Sequence, residues 1–224
     1  MVYDFHTHTS LSDGDLSPIE IIRRASLKGY RAIGLTDHAS TGDLDRIVPE
    51  VVKVCEMARR HWDIIALPGI ELTHLPAAAI SKAARKAKSL GAWIVVVHGE
   101  SIVEPVEPGT NLSAVNSPDV DILAHPGFIT EEEAGIAAER GVFIEISARK
   151  GHSLTNGHVA RIALKAGAKM LVDSDAHASS DLLTDEFALK VVRGTGIEEN
   201  LCKEILEENS QILLTRIKGL YKKV

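Results

Sequence analysis

The sequence predicts an α/β protein in which parallel strands alternate with helices inside a single domain. Apolar runs of strand length alternate with amphipathic segments along most of the chain, which is the pattern of repeated strand–helix units. The 224 residues suffice for one sizeable domain and are somewhat few for two. Because no linker interrupts the alternation, we expect residues 1–224 to form one domain.

The first strand–helix unit lies at the start of the sequence. A very short strand is expected at about residues 2–6. Ser17 suits the N-cap of the following helix, with Pro18 in its first turn and Glu20 at its third position. Gly29 is expected to end this helix, because glycine readily adopts the left-handed conformation that often follows a helix.

Six further strands follow, which gives seven strand–helix units. Glycines lie where three helices should end, at Gly91, Gly141 and Gly167. The predicted strands are Ala32–Thr36, Ile64–Glu71, Trp93–His98, Asp121–His125, Val142–Ser147 and Met170–Asp173. The predicted helices are Leu44–His61, Pro76–Leu90, Glu131–Arg140, Val159–Ala166 and Leu182–Val192, with a helix-rich tail at Glu198–Leu220. Loops are expected at Glu104–Asn111 and in a polar stretch bounded by Gly151, Asn156 and Gly157.

The pattern leaves the overall arrangement of these units open. Helical connections of this length favour right-handed crossovers between parallel strands. Such crossovers build either an open doubly wound sheet or a closed barrel, and the alternation alone does not choose between them.

Composition and charge exclude several classes of protein. The formal charge of −6 gives no broad basic surface for a nucleic-acid backbone, and we interpret Lys218, Lys222 and Lys223 as a solvated helix face. Cys55 and Cys202 lie in helix-like segments, so neither a disulfide framework nor a cysteine zinc site is indicated. A reducing cytoplasm fits this pattern. No segment approaches the ~18 apolar residues of a membrane helix, and no leader sequence is expected.

Potential metal ligands recur where the predicted strands end. Because the carboxyl ends of parallel strands share one edge, this is where α/β proteins build their sites. Side chains of a strand alternate, so a His-x-His pair directs both imidazoles to one side. Structural roles explain a single strand-end histidine well, but they explain the repeated pattern poorly. The strand-end residues are His6, His8, Asp37, His38, Glu71, His98, His125, Asp175 and His177.

This ordered set of motifs resembles the PHP (polymerase and histidinol phosphatase) superfamily. The motifs span almost the whole chain, and the tail from Glu208 to Leu214 is similar to that family's closing helix. The nearest competitor is the amidohydrolase superfamily, which also opens with His-x-His but lacks the late Asp-x-His pair. The matching motifs are Asp4-Phe5-His6-Thr7-His8-Thr9, Ser12-Asp13-Gly14, Leu35-Thr36-Asp37-His38, Gly69-Ile70-Glu71, Ala124-His125-Pro126-Gly127 and Asp173-Ser174-Asp175-Ala176-His177.

The resemblance implies a distorted TIM-like (βα)7 barrel that holds three divalent metals, with zinc, manganese or iron as candidates. By motif position, the first metal would be held by His6, His8, Glu71 and Asp175. The second would be held by Glu71, His98 and His125, with Glu71 bridging the two ions. Asp13, His38 and His177 would hold the third.

Such a centre suits the hydrolysis of phosphate esters, because divalent cations lower the pKa of a bound water and neutralise phosphoryl oxygens. We expect a hydroxide on the metals to attack the phosphate, with Glu71, Asp175 and His177 acting in catalysis through those metals. Arg149, Lys150 and His152 follow a predicted strand and are candidates to bind the phosphate. An exposed polar loop is the alternative for that cluster.

Three functions remain open at this point. A phosphatase acting on a small phosphate monoester is favoured, because the single acidic domain lacks a nucleic-acid module. A nuclease or phosphodiesterase acting on DNA or RNA ends is the second hypothesis. The third is a non-catalytic scaffold that metal ions stabilise. The sequence names neither the phosphate ester nor the oligomeric state.

Overall fold

The computed structural model describes residues 1–220, and within them seven parallel strands curve into a nearly closed barrel, beside which a short eighth strand pairs. Lys222 and Lys223 therefore lie outside the described residues. The strands are β1 Tyr3–Asp4, β2 Ala32–Leu35, β3 His38–Ala39, β4 Ile65–Leu72, β5 Ile94–His98, β6 Ile122–Ala124, β7 Phe143–Ser147 and β8 Met170–Asp173. The helices are α1 Pro18–Leu27, α2 Leu44–His61, α3 Ile80–Ser89, α4 Thr110–Asn116, α5 Glu131–Arg140, α6 Asn156–Ala166, α7 Asp185–Gly194, α8 Glu199–Lys203 and α9 Asn209–Leu220.

The strand order confirms the predicted alternation and selects the barrel over the open sheet. Neighbouring strands pair in the order β1-β2-β4-β5-β6-β7-β8, and each of these pairs is parallel. The two-residue strand β3, which was not predicted, pairs with β4 and brings His38 opposite Glu71. The seven predicted strands correspond to the seven strands of the main path.

Side chains, rather than a full ladder, hold the seam between β1 and β8. The backbone N–H of Phe5 donates to the Asp173 carboxylate at 2.6 Å, and that of Ser174 donates to the Asp4 carboxylate at 3.0 Å. Just beyond the strands, the N–H of His8 donates to the carbonyl of Ala176 at 2.8 Å. A carboxylate of each seam strand thus accepts a backbone N–H that follows the other strand. These hydrogen bonds position the residues that come after β1 and β8.

Two apolar layers stabilise the barrel. The larger layer lies between the strands and the surrounding helices, and burial of its aliphatic side chains provides the main driving force for folding. The smaller layer joins alternate strand residues such as Phe5, Leu67 and Phe143 to Leu213 and Ile217 of α9. Because this second layer includes residues at the starts of several strands, α9 covers the amino-terminal end of the barrel. The site must therefore form at the opposite end.

The structure adds one helix and shifts the starts of three others, including α3, which begins at Ile80 rather than Pro76, after a 3-10 turn at Ala77–Ala79. Helix α4 was not predicted: the Glu100 carboxylate accepts hydrogen bonds from the N–H groups of Gly109 and Asn111, so its start depends on a residue outside the helix. Helix α6 begins at Asn156 rather than Val159, and the Asn156 side chain pairs with both backbone groups of Ser147. Helix α7 begins at Asp185 rather than Leu182, because Thr184 caps it and the buried leucines at 182–183 belong to the preceding loop.

The predicted glycine positions are confirmed. Gly141 and Gly167 end α5 and α6 with φ angles of 71° and 73°, and Gly91 follows α3 with a φ of 107°. None of the described helices combines the length and the apolar character that crossing a bilayer requires.

Candidate metal centre

All of the strand-end residues lie at the carboxyl edge of the barrel, where the parallel topology collects them. His6, His8, Glu71, His98 and His125 are almost completely buried. Asp13, in the loop after β1, and His38, in the short strand β3, reach the same space and are more exposed. Asp175 and His177 follow β8, across the seam from His6 and His8. The i, i+2 spacing of both pairs therefore aims four side chains inward.

The four residues expected to hold the first metal face one another. His6, His8 and Asp175 each offer a donor atom within 4.8 Å of the others. The Nε2 atom of His8 lies 3.1 Å from Oδ1 of Asp175, and the Nε2 atom of His6 lies 3.4 Å from Oε1 of Glu71. Two imidazoles and two carboxylates thus surround one small space, which is a donor set that suits zinc-like ions.

The residues expected around the third metal also come together. Donor atoms of His8, Asp13, His38 and His177 lie within 4.8 Å of one another. Oδ2 of Asp13 lies 3.3 Å from Nε2 of His177 and 3.6 Å from Nε2 of His38. The structure adds His8 to this group, since its ring lies between the rings of His38 and His177 at centroid distances of 4.1 and 4.2 Å.

The second group differs in membership from the expected one. Oε1 of Glu71 lies 3.6 Å from Nε2 of His125, and these two residues cluster with His6. His98 instead clusters with His125 and His152. His125 therefore joins the Glu71 group to a second group of three imidazoles.

Buried donor atoms without hydrogen bonds show that this chemistry fits metal ions. Leaving a buried polar atom unsatisfied is costly, so native proteins rarely do it without a reason. Cations at the centre would satisfy one nitrogen of each imidazole and the two carboxylate oxygens among these atoms. Within the described part of the chain, the donor atoms that lack a hydrogen-bond partner include Nε2 of His6, both nitrogens of His8, Oε1 of Glu71, Nε2 of His98, Nδ1 of His125 and Oδ1 of Asp175.

Hydrogen bonds behind the donors orient them. The Glu145 carboxylate lies 2.6 Å from Nδ1 of His6, which holds this ring with Nε2 facing the centre. Nδ1 of His98 lies 3.0 Å from the carbonyl of Gly99, and this contact likewise leaves Nε2 free. Asp37 accepts hydrogen bonds from the N–H of Thr9 at 2.8 Å and from the Ser12 hydroxyl at 2.8 Å, which fixes the loop that carries Asp13.

The charges at the centre are strongly coupled. Burial alone would raise the pKa of Glu71, but neighbouring His38 and His6 hold it well below its ordinary range. Burial alone would lower the pKa of His38, but Glu71 and Asp13 raise it to about 9. Burial lowers the pKa of His8 to about 3. The carboxylate is therefore ready to bind a cation, whereas His38 must lose a proton to do so.

Two residues of the centre adopt unusual backbone conformations. His125 has a φ of 27° and Asp175 a φ of 51°, in the left-handed region that residues with a Cβ seldom occupy. Such strain costs about 1–3 kcal/mol and persists only where the surroundings impose it. Here it turns both side chains into the barrel mouth immediately after their strands.

The three candidate phosphate-binding residues separate in the structure. Arg149 and Lys150 line a cavity of 540 Å³ that also contacts Asp175 and Lys28. The Arg149 guanidinium donates to the carbonyl of Asp175 at 3.0 Å. His152 instead is buried among His98 and His125.

Sequence reasoning gave no role to Glu145 or Glu104, and it included Asp37 only as one of the strand-end candidates. Glu145 lies in the apolar strand β7, where a lone carboxylate is a signal of a buried polar role. Asp37 adjoins His38, but its function depends on a loop some 25 residues away in sequence. Glu104 lies in a predicted loop, and only the fold brings its Oε2 atom to 3.6 Å from Nε2 of both His98 and His152.

A parallel barrel with imidazoles and carboxylates clustered at its carboxyl edge defines a class of barrel metalloenzymes. The family model of the PHP domain matches residues 4–165, and the chain belongs to this family. An uncharacterized protein of Methanocaldococcus jannaschii is 49% identical over 218 residues, which cover 97% of this chain and 100% of the relative. A probable phosphatase of Thermoanaerobacter sp. (strain X514) is 32% identical, and the match covers 90% of this chain and 89% of that protein.

A solved structure supports the same fold. The histidinol phosphate phosphatase of Lactococcus lactis, crystallised with zinc, L-histidinol and phosphate, superposes with a TM-score of 0.61. The match covers 88% of this chain and 94% of that one at 14% sequence identity. The TIM-like barrel predicted from the family resemblance is therefore confirmed.

Proposed function

We propose that this chain is a metal-dependent phosphatase that hydrolyses a small phosphate monoester at a centre of three divalent ions. Family membership and the probable phosphatase among its relatives support the phosphatase class. The observation that carries the proposal is the set of buried imidazole and carboxylate atoms without hydrogen-bond partners around Glu71. We extend the proposal to residues 1–224 as one PHP-type domain, because Asp175 and His177 beyond residue 165 complete the centre.

The distances support a division of the ligands among three ions. His6, His8, Glu71 and Asp175 would hold the first ion. Oε1 of Glu71 lies 3.6 Å from Nε2 of His125 and 3.4 Å from Nε2 of His6, and its Oε2 lies 3.9 Å from Nε2 of His8, so this carboxylate would reach both the first ion and a second ion held with His98 and His125. A third ion would lie among Asp13, His38 and His177.

When bound, such ions supply Lewis acidity toward a phosphoryl group and toward water. The protein residues position the ligand atoms. Glu145 fixes the tautomer of His6, so that its Nε2 atom faces the centre. Glu71, Asp175 and His177 would hold the ions, and that would be their contribution to catalysis. Zinc, manganese and iron all suit this mixture of nitrogen and oxygen ligands.

The cavity beside Asp175 is suited to a small phosphorylated molecule. Its volume of 540 Å³ falls in the ordinary range for small-molecule sites. Lys28, Arg149 and Lys150 line it, and their positive charges would attract an anionic substrate. Phe187 supplies an apolar wall. We therefore assign the phosphate-binding role to Arg149 and Lys150.

Release of inorganic phosphate from an aryl phosphate tests this function directly. The purified protein supplied with Mn²⁺ or Zn²⁺ should release phosphate, and a chelator should abolish the activity. Asp175→Asn should lose at least 100-fold in kcat/KM, because it weakens the ligand set at the seam. Asp119→Asn, the same exchange far from the centre, should leave the rate unchanged.

Two results would overturn the proposal. Shortening of a labelled oligonucleotide, without phosphate release from any of a broad panel of small esters, would favour a nuclease. Absence of both activities in metal-loaded protein, with His6→Ala changing only the stability, would favour a scaffold.

A further inference from the structure

The imidazoles of His98, His125 and His152 form a group of their own beside Glu71. All three side chains are at least 95% buried, and each offers a nitrogen within 4.8 Å of the other two. The rings of His125 and His152 stack at a centroid distance of 4.0 Å, and the ring of His98 meets His125 edge-on at 4.4 Å. Within residues 1–220, which the structure describes, Nε2 of His98 and Nδ1 of His125 have no hydrogen-bond partner, so hydrogen bonding between the rings does not account for the cluster.

A contact through Nδ1 orients the rings of His98 and His152. In His152 that atom lies 2.6 Å from the Ser101 hydroxyl, and in His98 it lies 3.0 Å from the carbonyl of Gly99. The Nε2 atoms of both rings therefore face inward, toward the same space. Among the described residues, Nε2 of His98 has no hydrogen-bond partner. This arrangement is the one found behind metal-binding histidines, where a partner on one nitrogen leaves the other free to coordinate.

A carboxylate closes the space from the solvent side. Oε2 of Glu104 lies 3.6 Å from Nε2 of His98 and 3.6 Å from Nε2 of His152. Ligand bonds of about 2.0–2.2 Å in a tetrahedral arrangement place neighbouring donor atoms roughly 3.4 Å apart. The observed separations match this spacing, whereas direct hydrogen bonds would be shorter.

We propose that His152 is a protein ligand of the second metal ion, together with His98 and His125. The inference rests on the proposed function in so far as it concerns the same metal centre. His152 then holds an ion rather than the substrate phosphate. Three imidazoles select an ion that prefers nitrogen ligands, such as zinc, iron or cobalt, over magnesium or calcium.

Metal content and cobalt absorption test this role without measuring activity. Wild type, His152→Gln and the control His61→Gln, an exposed residue at the end of α2, are loaded with Zn²⁺ and dialysed. We expect His152→Gln to retain one ion fewer per chain than the other two proteins. On titration with Co²⁺, its visible absorption should change in intensity, and its affinity for the weakest-bound ion should fall by at least 100-fold.

The variant Ser101→Ala tests the same proposal while leaving His152 in place. Removal of the partner of Nδ1 should lower the affinity for the same ion by about 10–100-fold. Thermal unfolding of every variant in chelator, compared with wild type, reports on folding independently of metal.

The outcomes separate this inference from the proposed function. If His152→Gln keeps the wild-type metal content, cobalt spectrum and affinity, and only raises KM for the substrate, His152 binds substrate and the inference is overturned. If the wild-type protein itself retains no metal, the proposed metal-dependent function is overturned as well.

Discussion

At the residue scale, the contact between Glu145 and His6 shows how a buried carboxylate can prepare a ligand. The Glu145 oxygen lies 2.6 Å from Nδ1 of His6, and both side chains are fully buried. A carboxylate in this position fixes the ring and raises its basicity as a ligand. His6 and Glu145 are separated by 139 positions in the sequence, so sequence reasoning singled out His6 but neither Glu145 nor the contact between them.

Glu145→Gln should therefore weaken metal binding with little effect on the fold. The amide keeps the size of the side chain but removes the negative charge, and we expect metal affinity to fall by about 10–100-fold. Competition with a coloured chelator measures this affinity. Glu139→Gln, on the exposed face of α5, is the matched control. Equal affinity of wild type and Glu145→Gln would show that Glu145 does not act on the metal.

The raised pKa of His38 predicts opposite pH trends for the metal-free and metal-loaded protein. Its pKa is about 9 in the folded chain, against about 6.5 when unfolded. The stabilisation from its proton is therefore fully present below pH ~6.5 and is lost as the pH rises through about 9. Metal binding requires the neutral ring, so the metal-loaded protein should instead gain stability over this interval.

Thermal unfolding between pH 6 and 9 checks both trends. The Tm of chelator-treated protein should fall as the pH rises, and that of metal-loaded protein should rise. His38→Gln should flatten the fall in the metal-free protein. Parallel trends in the two forms would contradict a ligand role for His38.

At the scale of elements, the loops after β5 and β6 pack closely against each other, next to His98 at the end of β5 and His125 just after β6. A Cβ at Gly127, where φ is 60°, would lie 1.9 Å from the carbonyl oxygen of Glu100. A Cβ at Gly99 would lie 2.3 Å from the carbonyl of Ala124. Glycine is required at these positions because the two backbones approach so closely.

Gly127→Ala should consequently destabilise the protein and disturb the second metal position. Backbone strain alone costs about 1–3 kcal/mol, and the displaced loop adds to it. Gly135→Ala is the control, since its Cβ would meet nothing within 4 Å inside α5. That exchange should stabilise the helix by about 0.5–1 kcal/mol. Denaturant unfolding compares the two, and an unchanged midpoint for Gly127→Ala would refute the close approach.

Elements with local signals were predicted well, and elements defined by distant contacts were not. Gly141 and Gly167 mark helix ends through their own conformational preferences, and the structure confirms those ends. Ser17 is also the N-cap of α1 as predicted, although its side chain makes no capping hydrogen bond. Helix α4 escaped prediction because Glu100, nine residues upstream of Gly109, satisfies its first N–H groups. The pairing of β3 with β4 likewise depends on tertiary structure, since two residues carry no periodic signal.

At the scale of the whole molecule, the seam between β1 and β8 decides that the sheet closes. Asp4 and Asp173 each accept a backbone N–H across this seam. The spacing of apolar residues in strands and helices does not predict these hydrogen bonds across the seam. The family resemblance was therefore needed to choose the barrel over the open sheet. Closure also explains the site, because it brings His6 and His8 beside Asp175 and His177 from opposite ends of the chain.

Elemental analysis of metal bound to the purified protein, after loading and dialysis, tests the central claim most directly. We predict three divalent ions per chain in wild type, and substitution of Glu71 by Gln should reduce this number, because Glu71 contacts two of the three groups. Two ions in wild type would contradict the division among three sites. One ion would contradict any multinuclear centre, and none would contradict the metal centre itself.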